Sequence, residues 1–331
     1  MIVCDMPIIA SRFRPHPLLR NRHLQTLWQQ VIRPPPALDL DRERLELPDG
    51  DFLDLCWSRP QEGPIVVLLH GLNGCLRSAY SGPMIRAFVA AGFRVLFLHF
   101  RGCSGEPNRL PRSYHSGETG DLSRVLDMLE KRFPGTPRVA LGVSLGGNVL
   151  LKYLGERGSD AGLAAAAAVS VPFTLADAAR TLQKGFARLY QAYLLRGLIR
   201  STRRKFRQLT PPLSLPDPGS LRTLRDFDDR ITAPLHGFGG ADDYYARSSS
   251  RQFLSGVRIP TLVIHALDDP FMTRAGVPHA GELADSLELE LSERGGHAGF
   301  VAAGPGLIPR FWPAQRIPAY LRSKLERSVA D

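Results

Sequence analysis

A hydroxyl attacks a carbonyl well only when a base takes its proton. Ser144 stands where that is arranged. Gly142-Val143-Ser144-Leu145-Gly146 reads G-x-S-x-G, with an apolar run, Val139–Val143, before it and a helical pattern, Leu145–Glu156, after it. Small residues two before and two after the serine are what a sharp strand-to-helix turn needs to hold the side chain clear of the sheet. A serine that merely caps the helix is the competing reading. The expected base is His297, in the Gly-rich run Gly295-Gly296-His297-Ala298-Gly299-Phe300. An acid must orient the imidazole and stabilise its cation. Asp268-Asp269-Pro270 follows an apolar run and offers two adjacent candidates, of which Asp269 is preferred. An oxyanion needs backbone donors. The amide of Leu145, next after the serine, is one. The amide of Leu72, in His70-Gly71-Leu72-Asn73-Gly74, is the other, with His70 as a brace for that loop.

These residues need a scaffold that brings them together. Short apolar runs at Ile65–Leu69, Val95–Leu98, Val139–Val143, Ala165–Val171 and Thr261–Ile264 alternate with helical patterns at Ala79–Ala91, Glu118–Arg132 and Leu145–Glu156. Continuous apolar runs fit strands buried on both faces, and the alternation predicts an α/β fold, a mostly parallel sheet with helices on both sides. Leu45–Leu47 and Phe52–Trp57 flank Pro48-Asp49-Gly50, a hairpin signal, and Leu287–Leu291 reads as the last strand, half exposed. The 331 residues divide into an N-terminal arm (1–36, ending in Pro34, Pro35 and Pro36), a first part of the core (37–171), a cap insert (172–258) and a second part of the core (259–331). The insert opens with a long helical block, Leu175–Gln208. Ser116 is expected to cap the helix that follows it, and Asp242-Asp243-Tyr244-Tyr245 to form a turn with aromatic anchors rather than a metal site.

At this point the segments resemble a known family. Asn21-Arg22-His23-Leu24-Gln25-Thr26-Leu27, His70-Gly71-Leu72-Asn73-Gly74, Phe100-Arg101-Gly102-Cys103-Ser104-Gly105, the run Gly142 to Asn148, Asp268-Asp269-Pro270-Phe271 and the run Gly295 to Phe300 are similar to those of the YheT-like branch of the α/β-hydrolases. The chain order Ser144, Asp269, His297 is also the order of that fold. The resemblance implies a serine hydrolase acting on carboxylic esters, with short- to medium-chain or lipid-like acyl groups, and assigns the triad to Ser144, Asp269 and His297. It requires no cofactor and no metal. Acyl transfer from the same triad, or a non-catalytic binding protein on the same scaffold, are the alternatives.

Composition bounds what else the chain can be. Cys4, Cys56, Cys75 and Cys103 have no zinc or CxxC spacing, which fits a reducing, cytoplasmic setting. Cys103 has no partner base in the sequence and is not expected to be a nucleophile. No apolar run approaches the roughly 20 residues of a bilayer-spanning helix. The net charge of +10 is uneven: nine Lys and Arg and no acidic residue lie between Arg180 and Arg207, leaving +1 for the rest. No nucleic-acid motif accompanies them. The plain reading is a solvated basic helix face. The sharper one is a cap, residues 180–207, that rests on anionic lipid at the inner face of a membrane.

Overall fold

The computed structural model describes residues 7–32, 38–59 and 62–328; Cys4 and the Pro34–Pro36 hinge lie outside them. The strands are β1 (Ile8–Ala10), β2 (Leu40–Glu46), β3 (Phe52–Ser58), β4 (Ile65–Leu69), β5 (Arg94–Leu98), β6 (Arg138–Val143), β7 (Ala165–Val169), β8 (Thr261–Ala266), β9 (Leu287–Ser292), β10 (Val301–Ala303) and β11 (Pro309–Phe311). The α-helices are α1 (Arg22–Ile32), α2 (Ser81–Ala90), α3 (Gly120–Arg132), α4 (Leu145–Arg157), α5 (Leu175–Thr181), α6 (Ala187–Lys205), α7 (Leu224–Phe227), α8 (Ala233–Leu235), α9 (Ala241–Ser248) and α10 (Pro313–Ser328).

Nine strands form one sheet in the order β1-β9-β8-β7-β6-β4-β5-β3-β2. All pairings from β1 to β5 are parallel, while β3 and β2 are antiparallel additions at one edge. Successive strand residues point to opposite faces, so Ile65, Val67 and Leu69 join a core with α3 and α4, while Val66 and Leu68 join a core with α2 and α10. Both cores are built of buried apolar side chains; each fully buried aliphatic side chain contributes about 1.5–3 kcal/mol. The chain runs from β4 out to β5 and then returns across β4 to β6, and that reversal opens a crevice at the strand C-termini.

Several expectations need correction. Residues 8–10 of the arm are not outside the core but pair in parallel with β9. Leu287–Leu291 is not the last strand, since β10 and β11 follow it, and β1 covers its outer side. Its Glu290 is 2% exposed, because Ser11 and Arg316 cover and bind the carboxylate. The expected helical block Leu175–Gln208 is two helices, since Gly185 at φ +50° turns the chain between them. Ser116 is not a helix cap: α3 starts at Gly120, and the Ser116 amide donates to Tyr244 Oη. Asp242 to Tyr245 lie within α9 rather than a turn; the two carboxylates bind Arg225 and Arg247, and both tyrosines are buried as anticipated. Residues 172–258 add helices and no strand.

Candidate active site

Ser144 sits between β6 and α4 at φ +53°, ψ −119°. That is a strained conformation for a residue with a Cβ, and its neighbours make it reachable. A Cβ on Gly142 would lie 2.4 Å from the Gly146 carbonyl oxygen, and one on Gly146 would lie 2.6 Å from the Leu69 and His70 carbonyl oxygens. The two glycines thus let the turn close against β4. The Ser144 hydroxyl donates to His297 Nε2 at 2.9 Å, and His297 Nδ1 donates to Asp269 Oδ2 at 2.8 Å. Asp269 is 2% exposed and its other oxygen accepts from the Phe271 amide at 2.8 Å. Asp268 turns away from the imidazole. It accepts from the Gly296 amide at 2.9 Å, and burial raises its pKa above the usual carboxylate range. The geometry thus brings Asp269, not Asp268, to His297.

The loop after β4 behaves as a donor platform. The Gly71 amide is taken by Tyr80 Oη at 2.8 Å and the Asn73 amide by Tyr114 Oη at 2.9 Å. The Leu72 amide between them has no partner among the described residues, and neither does the Leu145 amide at the first turn of α4, where helix N–H groups are intrinsically unpaired. Both residues line the pocket that holds Ser144 and His297. His70 braces this platform: Nδ1 donates to the Gly71 carbonyl at 2.8 Å and Nε2 accepts from the Phe100 amide at 3.1 Å. Complete burial pushes its pKa down to about 3, so it stays neutral. Cys103, the discounted nucleophile, has its thiol pushed up to about 12 by burial. Among the described residues no His, Cys, Asp and Glu cluster has the makings of a metal site.

A family profile described as the alpha/beta hydrolase fold matches residues 64–302. YheT of Escherichia coli is 43% identical over 323 residues, covering 96% of this chain and 95% of that protein. The chain belongs to the α/β-hydrolase family, in its YheT-like branch. The mouse phospholipase ABHD3 is 30% identical over 315 residues, covering 92% of this chain and 76% of its own. Among solved structures, an esterase of Pyrococcus furiosus, Pf2001, shares the fold at a TM-score of 0.59 and 16% identity, covering 86% of this chain and 91% of that one.

In this α/β-hydrolase, several side chains that support the site could not be ranked from sequence. Thr26 Oγ1 accepts from the His297 amide at 2.9 Å, and Gln25 Oε1 accepts from the Val301 amide at 2.6 Å. The Asn21–Leu27 segment thereby fastens the histidine loop. Ser170 Oγ accepts from the Ala298 amide at 2.9 Å. Phe271 stacks flat on His297, with ring centroids 3.9 Å apart and planes 4° apart, and Tyr190 of α6 packs at a tilt against Phe271 at 5.1 Å. For Gln25, Thr26 and Phe271 the advance signal was their place inside the motifs that carry the resemblance; Ser170 and Tyr190 lie outside those motifs.

Above the triad lies a pocket of about 680 Å³. Leu175, Ala178, Ala179, Leu182, Tyr190 and Leu194 of α5, α6 and their junction face it, together with Leu27, Leu72 and Phe271. The volume is that of an ordinary small-molecule site.

Proposed function

We propose that the protein is a serine hydrolase of carboxylic esters. The observation that carries this is the unbroken relay Asp269–His297–Ser144 at the floor of a pocket walled by apolar side chains. Ser144 Oγ attacks the ester carbonyl carbon while His297 Nε2 takes the hydroxyl proton. The amides of Leu72 and Leu145 donate to the oxyanion of the tetrahedral intermediate. The intermediate collapses as His297 returns the proton to the leaving alcohol, and the acyl group stays on Ser144. Water then attacks the acyl-enzyme, giving its proton to His297, and the second collapse releases the carboxylic acid and restores the Ser144 hydroxyl. Asp269 holds the Nδ1–H tautomer and stabilises the transient imidazolium.

Residues 172–258 act as a cap whose α5 and α6 close the acyl pocket. Its apolar lining supports short- to medium-chain or lipid-like acyl esters, as does kinship with a relative named a phospholipase. The free Cys56, Cys75 and Cys103 fit a reducing, cytoplasmic setting, with residues 180–207 as the part that meets an anionic membrane.

Replacing Ser144 by Ala is expected to abolish hydrolysis of p-nitrophenyl esters of graded chain length and to abolish fluorophosphonate labelling. Retention of wild-type turnover in Ser144→Ala would overturn the proposal.

A further inference from the structure

Helix α6 has two unlike sides. Its inner side is fastened to the core at its middle and at its C-terminal end. Asn73 Nδ2 donates to the Leu194 carbonyl at 2.7 Å. The 4%-exposed Lys205 donates to the Arg112 carbonyl at 2.6 Å and to Ser113 Oγ at 2.9 Å. With the helix held in this way, its outer side is fixed in direction. Residues three and four apart share a helix face, and Phe186, Leu189, Tyr193, Arg196, Arg200 and Arg204 follow that spacing.

The outer face is segregated along its length. At the N-terminal end Phe186, Leu189 and Tyr193 are 46%, 62% and 68% exposed, and all three also line the pocket above Ser144. Apolar side chains therefore rim the entrance to the acyl site. His23 of α1 packs on Phe186 at 4.3 Å, and Leu24 beside it is 47% exposed, which widens the apolar rim. Toward the C-terminal end the face is cationic. Of the nine cations between Arg180 and Arg207, Lys205 alone is buried, and none of the other eight makes a side-chain hydrogen bond or ion pair among the described residues.

We infer that the outer face of α6 is a docking surface for an anionic phospholipid bilayer. On the ester-hydrolase reading, on which this rests, docking sets the pocket entrance against the acyl chains. Arg196, Arg200 and Arg204, exposed and unneutralised on this face, call for an anionic partner, and exposed apolar side chains at the pocket rim call for one with an accessible apolar phase. A bilayer of acidic lipid offers both. A nucleic acid offers the charge without the apolar phase. The helix lies in the interface with Phe186, Leu189 and Tyr193 entering the acyl boundary and the arginines meeting headgroup phosphates.

The test is co-sedimentation with sucrose-loaded vesicles, read on full-length Ser144→Ala protein so that no lipid is consumed. Binding to vesicles of phosphatidylcholine with 30% phosphatidylglycerol, little binding to pure phosphatidylcholine, and weakening at high salt are expected, with about a fivefold loss of partition for each arginine removed from the face. The variant Arg196→Glu/Arg200→Glu/Arg204→Glu is the charge probe, and Leu189→Asp is the apolar probe. The triple variant should keep wild-type activity on a soluble short-chain ester in the Ser144 background, which reports that it folds. Equal binding by the triple variant, equal binding to both vesicle types, or retention on RNA without vesicle binding would each overturn the docking surface. None of these results touches the hydrolase reading, which stands or falls on loss of turnover in Ser144→Ala.

Discussion

Two arginine-rich regions of this molecule use charge in opposite ways. At the sheet end Arg101 is 5% exposed and lies among Asp49, Asp51 and Asp121, with contacts of 2.7–2.9 Å to all three. Asp51 also accepts from Asn108 and from the Arg109 amide. That cluster ties the β2–β3 turn to the start of α3 and to the segment after β5. On the outer face of α6, by contrast, arginine is exposed and unpaired. A buried charge that loses its partner is strongly destabilising, so the first region has to be complete for the fold to stand. An exposed charge adds little to stability, so the second is free to serve a partner. The difference separates residues that specify structure from residues that specify what the structure meets.

The sharpest contrast within the sheet end itself is between adjacent carboxylates. Asp269→Asn keeps the shape but removes the charge opposite His297 Nδ1, and a drop of about 10⁴-fold in kcat/KM on a p-nitrophenyl ester is expected. Asp268→Asn keeps an oxygen to accept from the Gly296 amide, so it should cost no more than about tenfold, the worth of one altered hydrogen bond. Comparable losses in the two variants would mean that the pair acts as a unit and that the 2.8 Å contact of Asp269 does not single it out.

Next in size is the comparison of arginines. Arg101→Met leaves the carboxylates of Asp51 and Asp121 buried without their cation and should lower unfolding free energy by about 3–5 kcal/mol. Arg196→Ala touches no partner and should change it by less than about 0.5 kcal/mol. Urea midpoints at pH 7.5 read both. A loss under about 1 kcal/mol for Arg101→Met, the range of an exposed ion pair, would erase the distinction between the regions.

What the sequence revealed follows the same division. Buried parallel strands announce themselves as unbroken apolar runs, so β4 to β8 and the order of the site residues along them were legible. The elbow at Ser144 was legible too, because its geometry demands glycine at 142 and 146. Short elements whose stability comes from distant partners were not. β1 is three residues long and exists because β9 offers it a parallel edge, and β10, which pairs with β11, is also bridged at Ala302 by Pro15 from the other end of the chain. Thr26 and Gln25 support the histidine loop across more than 270 residues of chain, and no local pattern encodes such a contact. The alternation of Leu and Glu in β9 gave the wrong exposure because Arg316, far along the chain, lands on Glu290. The basic stretch was visible as composition, but its segregation into an apolar and a cationic half needed the helix phase and the anchoring by Asn73 and Lys205.

Acid should separate the two regions by a smaller but directional effect. Burial pushes the pKa of His70 down to about 3, those of His99 and His265 to about 4 and that of His115 to about 2. In the unfolded chain each takes a proton near pH 6.5. Their stabilising contribution is therefore complete above about pH 6.5 and is lost as the pH falls from there toward the folded values, at a cost of about 1 kcal/mol per histidine at pH 5.5. Asp228 works in the other direction: burial raises its carboxyl to about 6, so its protonation in the fold returns stability over the same interval, by less than four histidines remove. Unfolding free energy should thus be lower at pH 5.5 than at pH 7.5. The arginines of the α6 face do not titrate in this window, and His23 at the rim, whose pKa burial lowers, can only add positive charge as the pH falls, so partition onto phosphatidylglycerol vesicles should hold or rise while stability declines. Constant stability would show that the buried histidines take up protons without unfolding. A parallel fall of vesicle binding would show that the docking face depends on the titrating sheet end and is not an independent surface.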